Sequence, residues 1–183
     1  MEALQDELSP RDGLQKKKVR QIIRTLQKSV RNLRNLSKEL RPGNLEDLGL
    51  TTALNLLVQD FAEAKKILWQ IDLDFLDNLF ELPVQIAIYR MVQEALTNVG
   101  KHAKATRIML HAKKDEQVVP FAVEDDGKGF NLPAVKKTKK TLGLLAMEER
   151  VNILRGSFQI SSRKKQGTKI SFRIPLSKGR NSN

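Results

Sequence analysis

The 183-residue chain has no cysteine. That excludes a disulfide framework and thiol chemistry, and it is compatible with a cytosolic location. Aromatic residues are scarce, at 5 % of the chain, with a single Trp and a single Tyr. Trp69 and Tyr89 both fall inside apolar patterns, which argues against a base-stacking surface and so against a specific nucleic-acid binder. No apolar run approaches the ~20 residues needed to span a bilayer, and no signal peptide is visible. Histidine occurs only twice, at positions 102 and 111. Acidic residues stop at Glu149.

Basic residues are plentiful. The 33 Lys and Arg against 21 Asp and Glu give a formal net charge of +12, a balance that favours anionic partners. Much of it lines one stretch: Lys16, Lys17 and Lys18, then Arg20, Arg24, Lys28, Arg31 and Arg34. This run reads mainly as the solvated face of a helix. On the same stretch Val19, Ile23, Leu26, Val30, Leu33, Leu36 and Leu40 recur at three- and four-residue steps, an apolar seam of coiled-coil type. Arg41-Pro42-Gly43 stops it.

The most informative stretch is Asp125-Asp126-Gly127-Lys128-Gly129-Phe130. It follows the apolar run from Val118 to Val123, which reads as a buried strand. A carboxylate at a strand end is an acceptor fixed on a rigid element, and the glycines after it let backbone approach a ligand closely. Alone, Asp-Gly is also an ordinary turn signal.

Two further segments flank it. Upstream, a helix is expected from about Leu82 to Ala103, with Val84, Ile88, Met91, Val92, Ala95 and Val99 at helical spacing. Glu94, Asn98 and Lys101 or His102 then share one face. An acid, an amide oxygen suited to Mg²⁺ and a base form a wall for a metal–phosphate group, although such a face is more commonly a solvated stripe. Downstream, Gly143 precedes a helix running to about Leu154, and free N–H groups at a helix start attract phosphate. Gly167-Thr168 opens the last strand.

Taken in order, these residues resemble the nucleotide-binding domain of two-component sensor histidine kinases, within the superfamily of gyrase, Hsp90, histidine kinase and MutL (GHKL) ATPases. Glu94 to His102 is similar to the N box of that family. Asp125 to Phe130, Gly143 to Arg150 and Gly167-Thr168 are similar to its three glycine boxes. Thr141 departs from the pattern, because many kinases carry glycine there. A single glycine followed by Leu-x-x-Met-x-Glu-Arg resembles the subfamily that signals to response regulators with LuxR-type output. Leu33 to Pro42, then Leu45 to Leu50, resembles the end of the second dimerisation helix and its connection to the ATPase domain. Ser9 to Gly13 resembles the turn before that helix, and Met1 to Leu8 the stub of the first.

The resemblance implies an α/β fold: a Bergerat-type two-layer sandwich, in which a mixed sheet is covered on one face by three helices and preceded by a long coiled-coil-type helix. The expected strands are Ile67 to Asp74, Thr106 to Lys113, Gln117 to Glu124, Ser157 to Arg163 and Lys169 to Pro175. The expected helices are Leu50 to Lys66, Leu82 to Ala103 and Gly143 to Leu154. The expected division is a partial dimerisation hairpin over 1–44, a catalytic domain over 45–177 and a basic tail over 178–183.

It also implies roles. Glu94 is the catalytic acid that positions or activates an incoming group. Asn98 is the Mg²⁺ ligand. Asp125 accepts a hydrogen bond from the adenine amine of ATP, with Thr168 supporting that pocket. Gly127 and Gly129 bring backbone close to the base. Lys101, His102 and the backbone at Gly143 and Leu144 meet the phosphates. Lys136, Lys137, Lys139 and Lys140 belong to the ATP lid, where they neutralise triphosphate charge. The implied partners are a response regulator receiver domain and a second copy through residues 15–41, in the cytoplasm, with no membrane contact by this fragment and a membrane anchor elsewhere in the parent protein left open. In this subfamily the phosphoacceptor histidine lies in the first dimerisation helix. Neither histidine of this chain is there, so the sequence reads as a fragment starting after the acceptor, able to bind ATP and unable to phosphorylate itself on a family-type histidine. An anti-sigma-type serine kinase or another GHKL ATPase is the alternative.

Overall fold

The computed structural model describes residues 43–132 and 142–176. The apolar seam, the four lid lysines, Thr141 and the basic tail lie outside the described residues. Helix α1 spans Gly43–Lys65 with a break at Gly49, whose φ of 79° no helix contains. Beyond the break, Leu50, Leu54, Val58 and Ala62 recur every four residues and are buried, the stripe of a core-facing helix. Strand β1 is Leu68–Leu73. Helix α2, Leu82–Asn98, carries Pro83 in its first turn, where proline is well suited. Strands β2 (Arg107–Ala112) and β3 (Val118–Asp125) follow, then helix α3 (Leu142–Ile153) and strands β4 (Ser157–Ser162) and β5 (Thr168–Pro175).

The five strands form one sheet in the order β1-β2-β3-β5-β4. β1 and β2 are parallel and every other pair is antiparallel. Parallel neighbours need a crossover, and α2 supplies it. Alternation decides the two faces. Ile108, Leu110, Val119, Phe121, Val123, Ile170, Phe172 and Ile174 are buried, and they share one core cluster with α1, α2 and α3. Phe121 stacks on Phe172 at a centroid distance of 4.9 Å. The intervening residues, among them His111, Glu124, Lys169 and Arg173, face away from that core. The expected mixed sheet with helices on one face is what the chain adopts.

Two features run against simple expectation. Pro120 sits in a central strand, where a missing N–H normally costs a ladder bond. The β2 ladder ends at Ala112 opposite Phe121, one residue short of Pro120, so no β2 residue is paired opposite the proline. Trp69 alternates inward with Ile71 and Leu73, yet it remains 45 % exposed, because β1 is the sheet edge.

Candidate functional site

Asp125 is the last residue of β3, paired with Thr168 at the start of β5. The chain then turns through Gly127, whose N–H donates to the Asp125 carboxylate at 2.8 Å. Burial pushes the Asp125 carboxyl above its ordinary value, and backbone hydrogen bonding from Gly127 and Thr168 only partly opposes this. The neighbouring Asp126 does structural work. Its carboxylate accepts from the Thr106 hydroxyl at 2.6 Å, the Thr106 amide at 2.7 Å and the Arg107 amide at 2.9 Å. The slight burial of that carboxyl raises its pKa, but these hydrogen bonds outweigh it and hold the group below the usual range.

The glycine turn is packed from both sides. A Cβ at Gly127 would stand 2.4 Å from the Ala103 carbonyl oxygen, and one at Gly129, where φ is +55°, would stand 1.9 Å from the Arg163 carbonyl oxygen. Backbone bonds fix these approaches: Lys128 N–H to Ala103 at 2.8 Å and Lys165 N–H to Lys128 at 2.7 Å. The β4–β5 hairpin is thus clasped to the turn.

A cavity of about 260 Å³ opens beside Asp125. Ala95 and Asn98 of α2, with Val99, His102 and Ala103 just beyond its end, form one wall of the cavity. Val123, Asp125 and the turn residues Lys128, Gly129 and Phe130 form its floor. Gly143 and Leu144 enter from the start of α3, and Ile160, Thr168 and Ile170 from the hairpin strands. The interior is therefore apolar, with a few polar groups converging on it, which is how small-molecule sites are built.

Of the residues expected from sequence, Asn98, His102, Asp125, Gly129, Gly143, Leu144 and Thr168 line this cavity. Gly127 lies buried behind Asp125. Glu94 stands next to the lining: the Asn98 side-chain amide reaches its carboxylate at 3.5 Å. Lys101 is exposed and does not line the cavity. The reason is local geometry. The end of α2 widens into a π-helical turn, Val99–Ala103, closed by Lys104 at φ +54°. From this turn His102 lines the cavity and Lys101 does not; such turns recur at functional sites. His111 lies apart on the open sheet face, its Nδ1 3.5 Å from Asp72.

Among the described residues no group of three His, Asp or Glu side chains is arranged as a metal cage. With its Nδ2 directed at Glu94, Asn98 has its amide oxygen left to meet a cation. One amide oxygen beside one carboxylate suits Mg²⁺, which keeps most of its shell for water and phosphate.

Sequence reasoning missed Ser162. Its hydroxyl contacts the Phe130 amide, the Gly167 carbonyl and the Thr168 hydroxyl. A serine near a strand end carries no signal in itself. It also missed the apolar walls Ala95, Val123, Ile160 and Ile170, which read only as core.

Residues 84–178 match the family of histidine kinase-, DNA gyrase B- and HSP90-like ATPases. The signal transduction histidine-protein kinase/phosphatase DegS of Brevibacillus brevis is 37 % identical over 164 residues, covering 87 % of this chain and 41 % of that protein. The sensor histidine kinase MctS of Rhizobium johnstonii is 34 % identical over 159 residues, covering 86 % and 34 %. The chain thus spans less than half the length of these curated relatives. In fold it resembles the histidine kinase domain of the Erythrobacter litoralis EL346 blue-light activated histidine kinase. The TM-score there is 0.61 at 22 % identity, over 70 % of this chain and 61 % of that one.

Proposed function

The chain belongs to the family of histidine kinase-, DNA gyrase B- and HSP90-like ATPases, and from that footing we propose that residues 45–177 are the ATP-binding catalytic domain of a sensor histidine kinase. The activity is transfer of the γ-phosphate of ATP to a histidine of a dimerisation domain, which then passes it to an aspartate of a response regulator. The observation that carries this reading is the convergence of Asn98, Asp125 and Gly143, from three separate elements, on one cavity. The sensor kinases DegS and MctS among the relatives favour it over the serine-kinase alternative, and the Leu-x-x-Met-x-Glu-Arg pattern favours the subfamily with LuxR-type partners.

Each residue then has a task. The half-buried Asp125 carboxylate accepts from the exocyclic amine of adenine. Guanine offers a carbonyl at that position, so two acceptors would face each other in an apolar pocket, at a cost of as much as ~10⁴-fold. Val123, Ile160 and Ile170 supply apolar surface for the base. His102 and the N–H groups at the start of α3 face the phosphate end, where a helix terminus favours anions. Lys136, Lys137, Lys139 and Lys140 are assigned to the lid over it. Mg²⁺ held by the Asn98 oxygen and the phosphates would offset the charge that builds during transfer. Glu94, in reach of Asn98, orients or deprotonates the incoming nucleophile. Neither His102, in the cavity wall, nor His111, on the open sheet face, stands where a dimerisation-helix acceptor would. Residues 15–41 are assigned to pairing with a second copy, and the site of action to the cytoplasm; no described helix is long and apolar enough to cross a membrane.

The test is calorimetric titration with ATP and GTP, with and without Mg²⁺. ATP should bind selectively, and Asp125→Asn should weaken it by at least about tenfold. Equal binding of both nucleotides, or none, would overturn the reading.

A further inference from the structure

The Ser162 hydroxyl has three partners. The Phe130 N–H approaches it at 2.9 Å, the Gly167 carbonyl oxygen lies at 3.0 Å and the Thr168 hydroxyl at 3.0 Å. A hydroxyl owns one proton and two lone pairs. The contact with Gly167 joins two oxygens, and a carbonyl cannot donate, so the single Ser162 proton goes there. The Phe130 amide fills one lone pair. Only the other lone pair is left for Thr168, so the Thr168 proton must point at Ser162. Reversing that bond would leave the Gly167 and Ser162 oxygens facing each other as two acceptors at 3.0 Å. Ser162 is partly buried and outside the cavity lining, whereas Thr168 is in it.

We propose that Ser162 is a specificity-determining positioning residue: by taking the Thr168 proton it makes the Thr168 hydroxyl an obligate acceptor toward the base, so that the cavity beside Asp125 selects a 6-amino purine over a 6-oxo purine. The proposal rests on the nucleotide reading above and adds a residue that never touches the ligand. Asp125 and Thr168 face each other across β3 and β5, so both side chains bear on one end of the cavity. With Ser162 in place, that end offers lone pairs from two side chains and no side-chain proton. Without it, Thr168 is free to rotate and donate to a carbonyl.

The experiment compares ATP with inosine triphosphate, whose base carries oxygen in place of the 6-amine and a proton on the neighbouring N1, and lacks the extra 2-amine of guanine. Binding of both is measured calorimetrically for wild type, Ser162→Ala, Ser162→Thr and Thr168→Val, with a thermal melt of each. Wild-type preference for ATP is the control on the nucleotide reading itself; its absence would overturn both. Given that preference, Ser162→Ala should reduce the ATP-to-inosine triphosphate ratio by about tenfold, the worth of one reoriented hydrogen bond. The gain should come mainly from tighter inosine triphosphate binding. Ser162→Thr, which restores a hydroxyl, should return the ratio toward wild type. Thr168→Val, which has no hydroxyl to rotate, should block that gain, and Ser162→Ala should change nothing further in its background. A ratio unchanged in a folded Ser162→Ala, or a fall that Ser162→Thr does not reverse, would overturn the proposal. A parallel loss of affinity for both nucleotides would also overturn it, because a purely structural serine predicts that result.

Discussion

Gly143 lies directly against Glu94: a Cβ at position 143 would stand 2.1 Å from a Glu94 carboxylate oxygen. The collision is with the free end of a flexible side chain, not with backbone. Gly143→Ala should therefore fold, with a loss of about 1 kcal/mol or less, and push the Glu94 carboxylate off its position. If Glu94 orients or deprotonates the nucleophile, phosphotransfer to a histidine-bearing dimerisation helix supplied in trans should fall by about a hundredfold, as for lost general-base catalysis. ATP affinity should change far less. A rate unchanged by this substitution would remove Glu94 from the chemistry.

Gly129 gives the opposite expectation. Its φ is +55°, and the contact its Cβ would make is with the Arg163 carbonyl oxygen, at 1.9 Å. Backbone on both sides leaves nothing to swing aside, and the positive φ adds strain for any side chain. Gly129→Ala should cost about 3 kcal/mol or more, read as a lower denaturation midpoint in urea. Nucleotide binding should be lost with it, since the turn and the hairpin form one floor.

Adjacent aspartates should respond to pH in opposite senses. Asp125 has its pKa raised, with burial as the leading cause. Its ionised form is thus disfavoured in the folded chain, and the penalty exists above its folded pKa and fades as pH falls toward the unfolded value of 3.8. Asp125→Asn should accordingly match or exceed wild type in melting temperature at pH 7, while losing ATP, with the gap closing toward pH 4. Asp126 has its pKa lowered. Its contribution is present above the unfolded value and is lost as pH falls through the folded one, so Asp126→Asn should be less stable than wild type at pH 7 and converge with it in acid. Melting curves of both variants from pH 3 to 7 decide the matter. Parallel behaviour of the two would contradict the burial and hydrogen bonding that separate them.

The strand from Thr106 to Ala112 was legible because alternation of apolar residues is a period-two signal that survives without tertiary knowledge; the continuous apolar run from Val118 to Val123 reads only as a buried strand, and its inward residues Val119, Phe121 and Val123 are visible in the fold alone. The Glu94–Asn98 pair was legible for the same reason at helical period. What failed to show was geometry created by long-range contact. By simple helical spacing Lys101 and His102 both fall near the face of Glu94 and Asn98, and only the folded cavity shows that His102 lines it and Lys101 does not. Ser162 gained its role from three partners in the Phe130 and Gly167–Thr168 segments, two of them reached across the hairpin turn. Gly49 read as part of a connection; it is in fact the break that starts the core-facing part of α1, capped from elsewhere in the chain.

That cap is the Asp77 carboxylate, which accepts from the Thr51 amide at 2.9 Å and the Thr51 hydroxyl at 3.1 Å. The same hydroxyl accepts from the Leu76 amide at 2.9 Å, so the two segments are tied reciprocally, as in a capping box assembled across 26 residues. Gly49 is required beside it, since its φ is +79° and a Cβ there would meet the Asp77 carboxylate at 2.6 Å. Removing a cap of this type costs about 1 kcal/mol, and up to about 2 where the partner donors are left partly buried. Asp77→Ala and Thr51→Val should each lower stability by that amount, and the double variant by less than their sum, because both break one network. A urea-denaturation double-mutant cycle measures the coupling, and strict additivity would mean that the two residues act separately. ATP affinity should be unchanged throughout, as neither side chain lines the cavity beside Asp125.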